Sequence, residues 1–513
     1  MQMGSESRKV NTIKNAATSL LNQVITLLFN FVTRSIFIHF LGAEYLGING
    51  LFANVLQVLS MADLGFNTAI VFSMYKPIAE NDEKTQAALM NFYRKVYNVI
   101  AIVVALIGLA LIPLLPFIVK TETEIPHLTL YYILYLSNTV VSYLFVYKTS
   151  ITTAHQKSYL LNNYDSLFVI LRNILQILSL IVFHSFVLYL IIQIVVGWVN
   201  NFIKAYRSQK MYPYIKEKEV LAPELKKDIF NNIKSMFIYR IGGVLLNNTD
   251  NILISAMIGT IVVGYYSNYF MVINAVTTFT NLLFNSMTAS IGNLNVSTDT
   301  ENKYLFFKRI NFATAWLFSF CGVCFFVLLN DFVTIWLGSE FVLDQLTLIA
   351  IVLNFVMPGS IRIVSLYRDT TGMFRQTKYV FFITSIINLI LSVILGKLMG
   401  LSGILLATAI ARFLTNMWFE PLVLFRSYFK KNVWKYYFSN QFIYWIVFIF
   451  SAALTYFIAS WISHISILTL LLKGLLCLIV PNAIMFLLYR KTDELDYFKQ
   501  MASQIVLKIK NKK

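Results

Sequence analysis

The chain has 513 residues, 58% of them hydrophobic and only 13% charged, with 43 Phe and 29 Tyr and a mean hydropathy of +0.68. So few charges cannot cover the surface of a water-soluble protein of this length, and three cysteines exclude a disulfide scaffold. The net charge of +18 invites a nucleic-acid reading, but no nucleic-acid-binding module pattern is present, and the placement of the charges gives them another use.

A bilayer core about 30 Å thick takes roughly 20 apolar residues per helix. Fourteen segments qualify in chain order: 14–40, 46–75, 97–119, 128–151, 159–183, 185–206, 233–257, 261–290, 310–330, 344–367, 378–398, 401–424, 437–460 and 466–489. The apolar runs are long and unalternating, as in Ile100–Leu115, which predicts helices rather than barrel strands. Residues 1–10 are polar and show no cleavage site of the signal-peptide kind. Lys and Arg gather in alternate connections, beginning with Arg8, Lys9 and Lys14, whereas the opposite connections hold only Lys120, Lys397 and Lys473. This asymmetry places both termini in the cytoplasm and makes anionic membrane lipids the partner of the basic excess.

Internal similarity recurs at an offset of 217–220 residues. Leu41-Gly42 with Gly47 matches Ile258-Gly259 with Gly264. Tyr147-Lys148, Gln156 and Tyr159 match Tyr367-Arg368, Gln376 and Tyr379, and Tyr206-Arg207-Ser208 answers Phe425-Arg426-Ser427. The expected organisation is an all-α polytopic membrane protein with two pseudo-symmetric six-helix lobes, 1–206 and 233–428. A cytoplasmic linker over 207–232 joins them, and 429–513 adds two further helices and a basic tail. Six helices per repeat is an even number, so the repeats are parallel.

Polar stripes inside apolar helices mark protein interior or water. The first helix carries Thr18, Asn22, Thr26, Asn30 and Arg34 every four residues. The seventh carries the offset positions Ser235, Tyr239, Gly243, Asn247 and Asn251, with Asp250 adjacent. The eighth carries Asn274, Thr278, Asn281, Asn285 and Thr288. Either these stripes bond packed helices to one another or they line a shared hydrated cavity; matching stripes in both repeats favour the cavity. Arg34, Arg172, Arg240, Arg362 and Arg412 are the intramembrane cations, against Asp63, Asp165, Asp250 and Glu420. Asp165 and Glu420 lie near the inner surface and read as structural. The five-donor fork of arginine suits phosphate oxygens, so a cavity lined by arginines is built for an anionic group. Arg172 with Arg412, or Arg34 with Arg240, are the expected contacts. Arg34 and Asp250 fall at similar depths near the outer surface and form a candidate gate pair.

Enzyme readings fail. His39, His127, His155, His184 and His464 are scattered, no GxxxxGK[ST] occurs, and Cys321 and Cys324 sit among Phe and Val inside an apolar helix. No metal or cofactor is expected.

With its two six-helix lobes, two extra helices, the turn FLGAEYLGINGLF and the stretch ADLGFNTAIVFSMYKPIAEND, the chain resembles the polysaccharide transporter (Wzx-type flippase) branch of the multidrug/oligosaccharidyl-lipid/polysaccharide (MOP) exporter superfamily. The resemblance spans essentially the whole chain. It implies movement of undecaprenyl-pyrophosphate-linked oligosaccharide from inner to outer leaflet of the bacterial cytoplasmic membrane during capsule, exopolysaccharide or O-antigen assembly, by alternating access. Polysaccharide polymerase or export machinery would then be partners. Asp63 and Asp250 match the family's acids and are candidates for coupling to H⁺ or Na⁺. A flippase of teichoic-acid-type precursors and a MATE-like ion-coupled exporter of small molecules are the alternatives.

Overall fold

The computed structural model describes residues 5–60, 66–121, 124–297 and 299–510. These residues are overwhelmingly helical, without strands, and divide into two compact units, Met1–Ser267 and Asn268–Lys513. Among the described residues nine helices are long and apolar enough to cross a membrane, or ten if one bent pair counts as a span, where fourteen segments were expected. Fusion explains part of the difference. The helix α1 (Ser5–Leu59) joins the first expected segment to the beginning of the second across Gly42, whose φ of 82° and ψ of 177° break the helical path. In the same way Gly400 (φ 61°, ψ −134°) divides the helix over Val380–Leu414 where a break was expected at 398–401. Only glycine takes such angles without a Cβ clash. Of the expected 46–75 segment, α1 covers the part to Leu59 and α2 (Phe66–Ala79) the part from Phe66, and residues 61–65 lie outside the described residues.

The first unit continues with α3 (Glu83–Ala110), α4 (Leu128–Ala154), α5 (Ser158–Phe183), α6 (Phe186–Met211), α7 (Pro223–Met257) and the start of α8 (Thr260–Ser297). Here α1 lies along α5 and α7, and α4 packs between α3 and α6. The stretch 207–232, read as a polar linker, is largely helical: α6 runs to Met211, a 3₁₀ turn covers Pro213–Lys216, and α7 begins at Pro223. Proline at the first helical position loses no intrahelical bond there, so it starts the helix within the charged stretch.

In α3 the inner face is Tyr93, Tyr97, Ile100, Ala101, Val104 and Gly108, at helical spacing, while Val99, Ile102, Val103, Leu106 and Ile107 are exposed. Both faces are apolar, as required of a helix between protein and lipid. Gly108 lets α4 approach: a Cβ there would lie 2.8 Å from Leu136 Cδ2, and Tyr132 Oη donates to the Gly108 carbonyl at 2.9 Å. An aromatic core fills the middle, with Phe37 edge-on to Phe186 and Tyr189 at 5.8 and 5.0 Å, and Tyr131 to Phe186 at 4.8 Å. Each such pair adds about 0.5–1.5 kcal/mol beyond its buried area.

The second unit is built around α9 (Thr300–Leu337), against which α10 (Gln345–Ser360), α14 (Ser439–Ser460) and α15 (Ile467–Tyr489) pack. The intervening elements are α11 (Arg362–Thr371), α12 (Val380–Leu414) and α13 (Asn416–Leu424), and α16 (Asp493–Lys510) ends the chain's described part. The expected 344–367 helix is bent by 40° between α10 and α11, just after Pro358, whose ring cannot continue the hydrogen-bond ladder. Polar links tie α9 to the C-terminal helices at successive depths: Lys473 to Asp331 at 2.6 Å, Trp316 Nε1 to Asn482 Oδ1 at 2.6 Å, and Lys308 to Glu494 at 2.6 Å.

Candidate functional site

In the first unit, α1 and α5 run side by side, and Thr33 Oγ1 donates to Asn173 Oδ1 across their seam at 2.7 Å. Each of these two residues has an arginine as its sequence neighbour: Arg34 follows Thr33 on α1, and Arg172 precedes Asn173 on α5. Tyr189 of α6 packs edge-on against Phe37 of α1, one turn beyond Arg34, with ring centres 5.0 Å apart. Arg34 Nη1 also donates to Ser267 Oγ of α8 at 3.1 Å. Tyr135 of α4 donates its hydroxyl to Asn49 Oδ1 of α1. The fold thus sets Arg34 and Arg172 next to the bonded Thr33–Asn173 pair at the α1–α5 seam. The expected pairings were Arg172 with Arg412 or Arg34 with Arg240; Arg412 belongs to the second unit and Arg240 to α7.

Sequence reasoning missed Tyr135, Tyr189 and Asn173. Tyrosines are numerous in this chain and carry no stripe, so nothing distinguished these. Asn173 was findable, since a second polar residue next to a mid-membrane arginine needs a partner as well.

Asp250 is buried on α7, while Arg34 bonds Ser267 at the start of α8. Of the other stripe residues, Asn22 accepts from Thr26 Oγ1 at 3.4 Å, and Asn30 is half-buried. Asn247 is exposed and turns back to the Gly243 carbonyl at 2.7 Å, and Asn251 is half-buried one position beyond Asp250. Arg240 is half-buried on the same helix. Asp63, with Leu64 and Gly65, lies outside the described residues.

In the second unit the α8 stripe meets a cation. Arg362, the first residue of α11, directs Nη2 to Asn285 Oδ1 at 3.4 Å and lies 6.0 Å from the Phe284 ring centre; Asn281, one turn earlier, is half-buried. Arg412 is buried on α12. Asp165 and Glu420, read as structural, both carry ion pairs: Lys204 holds Asp165 at 2.6 Å, and Arg368 holds Glu420 at 2.5 Å. Cys321, Cys324 and Cys477 are free thiols, and among the described residues no His, Cys, Asp and Glu group fit for a metal ion occurs.

Chemically, the planar guanidinium forks of Arg34 and Arg172 suit an anion of more than one oxygen. The family model described as "polysaccharide biosynthesis protein" matches residues 12–288, just over half the chain. No curated protein matches. Among solved structures, a lipid II flippase MurJ in an inward closed conformation aligns with TM-score 0.63 at 16% identity, over 93% of this chain and 99% of that one. An inward-facing multidrug resistance MATE family transporter of the MOP superfamily aligns with TM-score 0.56 at 13% identity, over 78% and 96%. A MOP superfamily transporter from Pyrococcus furiosus, described as having a binding pocket of reversed polarity, aligns with TM-score 0.53 at 14% identity, over 83% and 97%. At such identities the likeness is one of fold. The chain is a multi-pass membrane protein of the polysaccharide biosynthesis protein family, with the fold of the MOP superfamily of transporters.

Proposed function

We propose that the protein is a flippase that carries undecaprenyl-pyrophosphate-linked oligosaccharide from the inner to the outer leaflet of the bacterial cytoplasmic membrane, for capsule, exopolysaccharide or O-antigen assembly. Its family and fold are those of transporters rather than catalysts. The observation that carries the substrate reading is the Thr33–Asn173 bond across the α1–α5 seam, which sets the adjacent Arg34 and Arg172 on neighbouring apolar helices of the first unit. Two guanidinium groups on adjacent apolar helices match a pyrophosphate, which presents both charge and paired oxygens. The prenyl chain stays in lipid while the anionic head and glycan follow the polar residues. That a protein of the same fold is a lipid II flippase agrees with this division of labour.

Arg240, Arg362 and Arg412, with Asn22, Asn30, Asn247, Asn251 and Asn281, complete the proposed substrate path. Asp250 and Asp63 are the proposed coupling groups for H⁺ or Na⁺, because a buried carboxylate changes its protonation as its surroundings alternate. Alternating access is the proposed mechanism, with both termini cytoplasmic by the distribution of Lys and Arg, and polymerase or export machinery downstream.

The test is reconstitution in vesicles with a fluorescent undecaprenyl-pyrophosphate-linked oligosaccharide, compared with efflux of cationic dyes. Flipping that falls on Arg34→Ala and Arg172→Ala supports the reading. Dye efflux without flipping would replace it by the MATE-like exporter, and flipping only of polyol-phosphate precursors by the teichoic-acid variant.

A further inference from the structure

The repeated turn noted in the sequence has a structural counterpart. At the offset of 217, Ala43 corresponds to Thr260, Gly47 to Gly264, and Gly50 to Ser267. The two turns, at Gly42 within α1 and at Gly259 between α7 and α8, are packed against each other in the first unit. A Cβ built on Gly47 would overlap the Thr260 carbonyl, with the carbonyl carbon 2.8 Å away. A Cβ built on Gly264 would overlap the Ala43 carbonyl, with its carbon at 3.1 Å and the Gly47 amide nitrogen at 3.2 Å. Each glycine therefore meets the counterpart of the residue that meets its own counterpart. Such reciprocity is the mark of a two-fold axis passing through a contact, and Gly50 with Ser267, 4.0 Å apart, continues it.

Both close contacts fall on main chain, which cannot swing aside as a side chain can. Around them, Thr260 N donates to the Lys120 carbonyl at 2.7 Å, Thr260 Oγ1 bonds Ser255 Oγ at 2.7 Å, and Arg34 reaches Ser267. Lys120 belongs to the sparsely charged, outer connections. Two main chains in van der Waals contact leave no room for a glycan to pass between them.

We infer that the Gly47–Gly264 crossing is the closing point of the outer end of the transport path, a backbone clasp made in this state and parted when that end opens. This rests on the alternating-access reading above. Glycine is required here only while the turns touch, so a methyl group at either position disfavours the clasped state alone. Because either substitution already parts the turns, the double variant adds little to a single one.

The experiment uses the full chain in vesicles, with the three native cysteines replaced by serine. Gly50→Cys with Ser267→Cys places two Cβ atoms at a separation that suits a disulfide. Oxidation is expected to stop flipping and reduction to restore it; a fully cross-linked protein that flips at the reduced rate overturns the proposal. In parallel, Asn30→Cys, below the crossing on α1, reports access for a membrane-impermeant thiol reagent added outside. Labelling should rise about tenfold on adding Gly47→Ala or Gly264→Ala, with no multiplication in the double variant. Unchanged labelling in variants that keep the parent's unfolding temperature overturns the clasp. If no substrate is flipped by the parent yet labelling responds, the transport reading fails while the clasp stands.

Discussion

Replacing Arg368 by methionine removes one half of the most deeply buried ion pair among the described residues of the second unit. The Arg368 side chain is 5% exposed and that of Glu420 is fully buried, with Nη1 and Oε1 2.5 Å apart. The same guanidinium donates from Nε and Nη2 to Asp369 at 3.0 and 2.7 Å, and Ser365 Oγ donates to the second Glu420 oxygen at 2.9 Å. Together these bonds tie α11 to α13 at the end of the bent α10–α11 pair. In Arg368→Met, Glu420 keeps the serine and loses the charge that justified burying it, a loss of about 3–5 kcal/mol. Glu420→Gln keeps the shape and leaves Arg368 its bonds to half-exposed Asp369, so about 1–3 kcal/mol is expected. The double variant leaves no uncompensated buried charge and should be more stable than Arg368→Met alone, by about 1–3 kcal/mol. Equilibrium unfolding of the four proteins in one detergent, followed by tryptophan fluorescence, measures the cycle. Additive single effects, or an Arg368→Met variant within about 0.5 kcal/mol of the parent, would refute the claim that the pair holds this corner of the fold.

The paired arginines predict that Arg34→Ala and Arg172→Ala each lower flipping by about 10²-fold, while the lysine variants, which keep the charge and lose the fork, lose about tenfold; the vesicle assay ranks them. On the first unit's surface, Tyr214 Oη donates to Gln86 Oε1 at 2.6 Å, and His155 Nε2 lies 3.3 Å from the same oxygen with its ring stacked 4.4 Å from Tyr212. Burial, with Lys157 second, lowers the His155 pKa to about 4. A depressed histidine pKa means that neutral imidazole is the folded form. Its contribution is full above the ordinary value near 6.5 and is lost as pH falls toward 4. After allowance for its partial exposure this amounts to about 1 kcal/mol between pH 7 and pH 5, read as a pH-dependent loss of amide protection in residues 212–217 that His155→Gln flattens. Finally, Lys473→Met leaves Asp331, 18% exposed, without its 2.6 Å partner and should cost about 1–3 kcal/mol in unfolding, recovered in part by adding Asp331→Asn.

Composition and the distribution of Lys and Arg were sufficient to read a helical membrane protein, because lipid tolerates no unpaired main-chain groups and leaves helices as the economical answer. Glycines at 42 and 400 marked real breaks, since both interrupt long apolar runs where a polar or charged residue stands near, and the 217-residue repeat located two turns whose equivalence the structure makes physical. What the sequence could not supply was the partner of each polar group. Lipid-facing and core-facing residues are alike apolar, so helix faces carry little contrast. The bonds that decide the site and brace the fold join residues far apart in the chain: Thr33 to Asn173 and Arg34 to Ser267 at the site, and Arg368 to Glu420 in the second unit's frame. Whether a mid-membrane arginine meets a phenol, an asparagine or a carboxylate depends on which helices become neighbours and at what rotation. Packing of small and large side chains fixes that, as Gly108 does against Leu136 and Gly47 against Thr260.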